Sequence, residues 1–140
     1  MDIRSITPSY AVTPQIAVED VPAIAQAGFV RVICNRPNAE VPPSHGSEAI
    51  GAAVRAAGLD YQVLELTHQT MTHENAARQV ELIAEADGPV LAYCASGTRS
   101  TIAWALGSAA TMETDEILAK ARAAGYQLDQ LRPALQGLAG

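Results

Sequence analysis

In the segment Val90-Leu91-Ala92-Tyr93-Cys94-Ala95-Ser96-Gly97-Thr98-Arg99-Ser100, a cysteine stands where an apolar run gives way to small residues and then to an arginine. Those residue types at that spacing suit thiolate chemistry on an anion. Residues 89–93 are short and apolar and follow Gly88, which predicts a buried strand, while residues 100–110 have the length and alanine content of a helix. Between them Ala95, Ser96, Gly97 and Thr98 are small enough for backbone N–H groups to turn inward as a nest, and a helix beginning near Arg99 adds its positive end. Arg99 offers a planar fork of donors to phosphate, sulfate or thiosulfonate, and its fixed charge lowers the cost of ionising the nearby thiol. Thiols in such surroundings have pKa values of roughly 3.5–7.5, against about 8.5 for free cysteine. The expectation is a Cys94 thiolate nucleophile with an Arg99 oxyanion cradle; the alternative is a small buried hydrophobe at a strand end.

The elements that must position this segment follow from periodicity. Residues 3–16 mix Thr, Pro and Ser with isolated apolar residues, which predicts two short extended pieces, around Tyr10-Ala11-Val12 and Gln15-Ile16, covering a sheet edge. Residues 18–27 carry Glu19 and Asp20 first, then Val21, Ile24 and Ala25 on one face, with Gly28 beyond, and predict a helix. A β-rich run over 29–34 ends at Asn35-Arg36-Pro37; a Pro-rich loop over 38–45 leads to a helix over 47–57 capped by Gly58, then to a strand over 61–66. The polar connection 67–73 precedes a helix over 74–86 with an apolar stripe of Ala77, Val80, Ile83 and Ala84. Trp104 is expected in the core. Two further helices, 114–124 and 128–138, flank Gly125, with Pro133 in the first turn of the last or kinking it; these helices either pack on the sheet or join two chains.

Strands alternating with helices in this way predict an α/β fold, a mostly parallel central sheet with helices on both faces. Function in such sheets gathers at the carboxyl ends of the strands. That rule gathers Asn35, Arg36, Glu40, His68 and His73 at the edge that holds Cys94, and sends Asp60 and Asp87 to the far end.

The chain as a whole narrows the field. Its 140 residues suffice for a single domain, 1–140, with its own core. A net charge of -6 argues against nucleic acid and anionic membranes as partners, so an anionic substrate must be attracted locally. Two cysteines, Cys34 and Cys94, and no leader-like start suggest a cytoplasmic, reduced setting, and no apolar run approaches a membrane span of about 20 residues. His45, His68 and His73 lack companions at metal-ligand spacing, so neither a metal nor another cofactor is expected.

With Cys94, Gly97, Arg99 and Ser100 in this setting, the chain resembles the cysteine-dependent tyrosine and dual-specificity phosphatase superfamily. More narrowly, residues 28–40 (Gly28-Phe29-Val30-Arg31-Val32-Ile33-Cys34-Asn35-Arg36-Pro37-Asn38-Ala39-Glu40) and residues 88–100 resemble the phosphatase-like domain of beta-lactamase-hydrolase-like proteins, over roughly residues 1–110. The resemblance implies a cysteine-phosphatase-like fold, with Cys94 as nucleophile, Arg99 binding the substrate oxyanion, and Ser100 hydrogen-bonding the sulfur to help it depart.

Three features depart from the superfamily pattern. Only four residues separate Cys94 from Arg99, one fewer than in ordinary members and equal to the spacing of many rhodanese-like sulfurtransferases. Tyr93 stands where phosphatases commonly have His. No aspartate lies in residues 67–73 to protonate a leaving alcohol, so His68 or His73 would substitute, or the leaving group needs no acid. The leading expectation is a phosphatase-like hydrolase acting on phosphomonoesters, whether small anionic molecules or phosphoproteins. A sulfurtransferase forming a Cys94 persulfide is the alternative, and an anion-binding module without turnover is a third. Beside the cradle, Arg36 either contacts substrate or pairs with Glu40 as a structural clasp next to Asn35; Cys34 is either a core thiol or a redox partner of Cys94.

Overall fold

The computed structural model describes residues 1–139. Its five strands are β1 (Arg4–Thr7), β2 (Tyr10–Thr13), β3 (Arg31–Cys34), β4 (Asp60–Val63) and β5 (Val90–Tyr93), and they lie in the order β1-β2-β5-β3-β4. Only β1 and β2 run antiparallel; β2, β5, β3 and β4 are mutually parallel neighbours. The helices are α1 (Val21–Gln26), α2 (Ser47–Ala56), α3 (His73–Ala84), α4 (Thr98–Ser108), α5 (Thr114–Ala123) and α6 (Arg132–Leu138), with short 3-10 turns at Val18–Asp20, Asn38–Glu40, Pro43–His45 and Asp129–Leu131. The expected α/β architecture, a mostly parallel sheet covered on both faces, is the one observed.

Strand alternation divides the core in two. Val32 and Cys34 of β3 and Leu91 and Tyr93 of β5 pack with Val21, Ile24, Ile50 and Val54 from α1 and α2. Ile33, Val90 and Ala92 face the other way, onto Leu82, Trp104, Ile117 and Leu135 from α3 to α6. Trp104 is in this second core, as expected from its helical position. β5 is central and wholly buried, so the strand that ends at Cys94 is braced on both faces and both edges.

Two expectations need correction. The opening hairpin begins with Arg4–Thr7, Gln15 and Ile16 form no strand, and β2 lies inside the sheet, pairing Val12 with Ala92 of β5. Local alternation is too short there to decide; the Ser9 N–H to Thr7 Oγ1 bond closes the turn, and burial on two faces selects Tyr10–Thr13 as the inner strand. In α3 the buried face is Ala76, Gln79 and Leu82, whereas Ala77 and Ala84 are exposed and Val80 and Ile83 only flank it. A glutamine in the middle of the face disguised it. The helix starts at its cap Thr72, whose side chain accepts from the Asn75 N–H at 3.1 Å, so His73 belongs to the helix. Gly107 lets α4 approach α3 closely, since a Cβ there would overlap the Ala76 carbonyl. No helix among the described residues is long and apolar enough to cross a membrane.

Candidate active site

Cys94 is the first residue beyond β5, at the sheet's carboxyl edge, and is almost completely buried. The loop from it to α4 is held by its carbonyls. Ala95 O accepts from Gln15 N–H at 3.3 Å, Ser96 O from the Tyr126 hydroxyl at 2.9 Å, and Gly97 O from Thr101 N–H and Oγ1 at 3.0 and 2.8 Å. In a trans peptide the N–H points opposite its carbonyl, so tying three successive carbonyls outward turns the N–H groups of Ser96 and Gly97 inward, while the Thr98 N–H meets Ser96 Oγ at 3.4 Å. The Gly97 N–H accordingly donates to Cys94 Sγ at 3.1 Å. Gly97 has φ +91°, the left-handed region, and a Cβ there would overlap the Tyr126 hydroxyl, so the residue is glycine on two counts. It caps α4, whose first turn begins at Thr98 and includes Arg99 and Ser100. Ser96 and Thr98 meet through their hydroxyls at 2.9 Å at the mouth.

In front of the loop lies a charged clasp. Glu40 accepts from Arg99 Nη1 at 2.9 Å, Arg99 Nη2 at 2.8 Å and Arg36 Nε at 2.8 Å; Arg99 Nη1 also donates to Leu66 O at 2.8 Å. Three of the five guanidinium N–H groups of Arg99 are engaged this way, which leaves Nε–H and one Nη2–H for an oxyanion. The hydrogen bond from Arg99 is the main reason the Glu40 carboxyl sits below the usual carboxylate range; burial, the next largest influence, opposes this, and the charge of Arg99 and then Arg36 add to it. Reciprocally, Arg99 is raised above its ordinary value chiefly by Glu40, with burial acting against and the charge of Cys94 adding to it. Arg36 is thus placed as a clasp and further tied by Nη1 to Gln15 Oε1 at 3.4 Å.

Behind the loop the groups are neutral and buried. Asn35 and Gln79 exchange two amide bonds of 2.9 Å each; Asn35 Nδ2 also reaches Leu64 O, and Gln79 Nε2 reaches the Tyr10 hydroxyl. Burial pushes the Tyr10 hydroxyl well above its ordinary pKa, and it donates to Ser100 O at 2.8 Å. Ser100 Oγ donates to Asn35 Oδ1 at 2.8 Å rather than to the cysteine, so the sulfur contact anticipated for it is replaced by a structural one. Every buried side-chain polar atom among the described residues has a partner. Gln79, Tyr10 and Tyr126 were not anticipated; the one available signal was a glutamine on the inward face of an otherwise ordinary amphipathic helix.

The remaining expected residues separate. His68 lines a groove with Glu40 and Arg99, whereas His73 is exposed at the start of α3 and outside that lining. Cys34 and Cys94 are both free thiols. Cys34 stands opposite Tyr93 in register and shares its face, where its thiol contacts Arg36 O at 3.4 Å. Tyr93 points from the cradle to Tyr61, hydroxyl to hydroxyl at 2.8 Å. No grouping of three His, Cys, Asp or Glu side chains suited to a metal ion occurs among the described residues.

Comparison with known proteins places this arrangement. The family model for the beta-lactamase hydrolase-like protein, phosphatase-like domain, matches residues 2–111. A beta-lactamase hydrolase-like protein of Agrobacterium fabrum is 35% identical over 95 residues, covering 68% of this chain and 22% of the relative. The chain spans less than a third of the length of the curated relatives it matches. Among solved structures, a candidate phosphatase from Neisseria meningitidis Z2491 superposes with a TM-score of 0.86 at 32% identity, covering 99% of each chain. PTPMT1, at 16% identity, shares the fold with a TM-score of 0.72 over 97% of this chain and 92% of its own.

Proposed function

The chain belongs to the family of phosphatase-like domains of beta-lactamase hydrolase-like proteins, and from that premise we propose that it hydrolyses phosphomonoesters with Cys94 as the nucleophile. The observation that carries the reading is the loop whose three carbonyls are tied outward, leaving inward N–H groups, the α4 N-terminus and two free Arg99 donors around one sulfur. Such fixed donors stabilise charge that develops on equatorial phosphoryl oxygens, and they need no rearrangement as the reaction proceeds.

In the first step the Cys94 thiolate attacks phosphorus; an S–P bond forms, the P–O bond to the alcohol breaks, and the alkoxide leaves with that electron pair. His68, which lines the same groove as Arg99, is the residue assigned to protonate the leaving group; His73 lies outside that lining. Water then attacks the phosphocysteine, giving inorganic phosphate and the thiolate again. With Glu40 committed to two arginines and no aspartate in the 67–73 connection, esters of acidic alcohols such as phenols are favoured, because they leave with little help from an acid.

A second reading keeps the same cradle. The four-residue spacing between Cys94 and Arg99 favours sulfur transfer, in which the thiolate attacks the outer sulfur of thiosulfate, forms a persulfide and releases sulfite. Intact-protein mass spectrometry decides between them, with Cys94→Ser as blank. A Cys94-dependent gain of about 80 Da after an activated aryl phosphate, or steady phenol release, supports the hydrolase. A gain of about 32 Da after thiosulfate, with no phosphate release, replaces it by the sulfurtransferase. Neither adduct nor turnover, with anion binding retained, would leave a binding module.

A further inference from the structure

Arg99, Ile102 and Leu106 lie three and four positions apart on α4, so one helix face begins at the oxyanion donor and continues as apolar surface. Ile102 and Leu106 are half-buried, not sealed in the core. Across from them stand Leu131 and Ala134, from the turn before α6 and from α6 itself, and Met71 closes one side from the 67–73 connection. Together they enclose a groove of about 750 Å3 that opens on Arg99, Glu40 and His68. A phosphoryl group alone does not need such a space; grooves of this size hold drug-sized ligands.

We propose that this groove receives the alcohol portion of the substrate, and that the substrate is the phosphomonoester of a bulky, mainly apolar alcohol. The argument rests on the hydrolase reading for the fate of the phosphate and on the groove for the rest of the molecule. The anionic head takes the two remaining donors of Arg99 and the inward N–H groups, while the apolar body runs along α4 toward Leu106 under the cover of α6. The polar part of the lining, Glu40, Arg99, Thr67, His68 and Gln69, comes from the cradle and the 67–73 connection, whereas Ile102, Leu106, Leu131 and Met71 offer no hydrogen bonds in return for the water a polar ligand body would lose against them. Leu131 and Ala134 lie beyond residues 2–111, the part matched by the family model.

The test compares phenyl phosphate with 4-butylphenyl phosphate, whose leaving phenols have nearly equal acidity, so a difference reports the groove and not the chemistry. The expected ratio of kcat/KM favours the butyl ester by about tenfold or more, since two buried methylenes already supply roughly that factor. Ala134→Glu, at an exposed helix position, should collapse the ratio to about one, and Ala134→Leu should raise it; a ratio is insensitive to any loss of folded protein. Equal kcat/KM for the two esters in the unmodified protein, or a ratio unmoved by Ala134→Glu, overturns the proposal. Calorimetric binding of phenylphosphonate and 4-butylphenylphosphonate separates it from the hydrolase reading. If neither ester turns over but the butyl phosphonate binds tenfold tighter, the groove stands and hydrolysis falls; equal binding of the two overturns the groove. Faster turnover of a phosphotyrosine peptide than of the butyl ester would assign the groove to a polypeptide and likewise overturn it.

Discussion

The two sides of the Cys94 loop are built from different chemistry. Behind it, Asn35, Gln79, Tyr10 and Ser100 form a neutral network, each at most about 1% exposed, with amides and hydroxyls satisfied by one another and by backbone carbonyls. In front, Arg36, Glu40 and Arg99 form an ion cluster with side chains 19%, 35% and 23% exposed. Water screens the front, so its ion pairs add little to folding. The rear is out of water, where each unsatisfied group is costly, so it holds one arrangement. The front supplies hydrated charge; the rear supplies a fixed position. A cradle needs both, and they are kept apart by the thickness of one loop.

Substitutions that separate activity from stability sharpen that contrast. The largest effect is expected for Arg99→Lys, which keeps the charge but loses the fork: kcat/KM on an aryl phosphate should fall by about 10²–10³, while urea unfolding shifts by less than about 1 kcal/mol. An equal loss of stability would erase the distinction. Gln79→Leu should do the reverse, lowering unfolding free energy by about 2–3 kcal/mol in denaturant titration, because it strands one Nδ2–H of the buried Asn35 amide, takes one of the two donors to its Oδ1 and removes a partner of Tyr10. Unchanged stability would mean that the rear is not the rigid side. Tyr126→Phe removes a single hydrogen bond to Ser96 O, worth about 1 kcal/mol, and should raise KM with little change in Tm.

The smallest effect concerns pH. Glu40 is held below its ordinary value by Arg99 and then Arg36, so its contribution to stability is fully present above the unfolded carboxyl value of about 4.3 and is lost as pH falls through the folded one. For so exposed a group, the contribution is less than about 1 kcal/mol after screening. Thermal unfolding of Glu40→Gln should therefore match the parent at strongly acidic pH and fall slightly below it at neutral pH. A gap that widens on acidification would reverse the sign and remove the clasp from the account.

The front of the site was far more legible in the sequence than the rear. Cys94 and Arg99 announce themselves by falling between an apolar run and a helix, and Arg36 and Glu40 by standing just after a strand in the same parallel sheet. Short parallel strands bounded by glycine and proline also marked themselves, which is why the sheet and most helix bounds came within a few residues of the structure. Gln79 did not, because periodicity counts a glutamine as a solvent residue and the satisfaction that permits its burial comes from Asn35, 44 positions away. Ser100 was read toward the sulfur, but its partner is that same distant asparagine. The inner position of β2 was hidden for a related reason: four residues are too few for alternation, and its placement depends on pairing with β5 across about 80 positions.

Tyr126 reaches back 30 positions to hold the Ser96 carbonyl, and it lies past the last residue matched by the family model. Synthesis runs from the amino end, so Cys94, Arg99 and Glu40 leave the ribosome before the residue that orients the peptide between Ser96 and Gly97. A growing chain stopped after α4 would carry Cys94, Arg99 and Glu40 but lack one of the three ties on its loop. The loop's set of ties is therefore completed only once residue 126 has been added, and a cut placed at the family boundary would leave that loop one tie short.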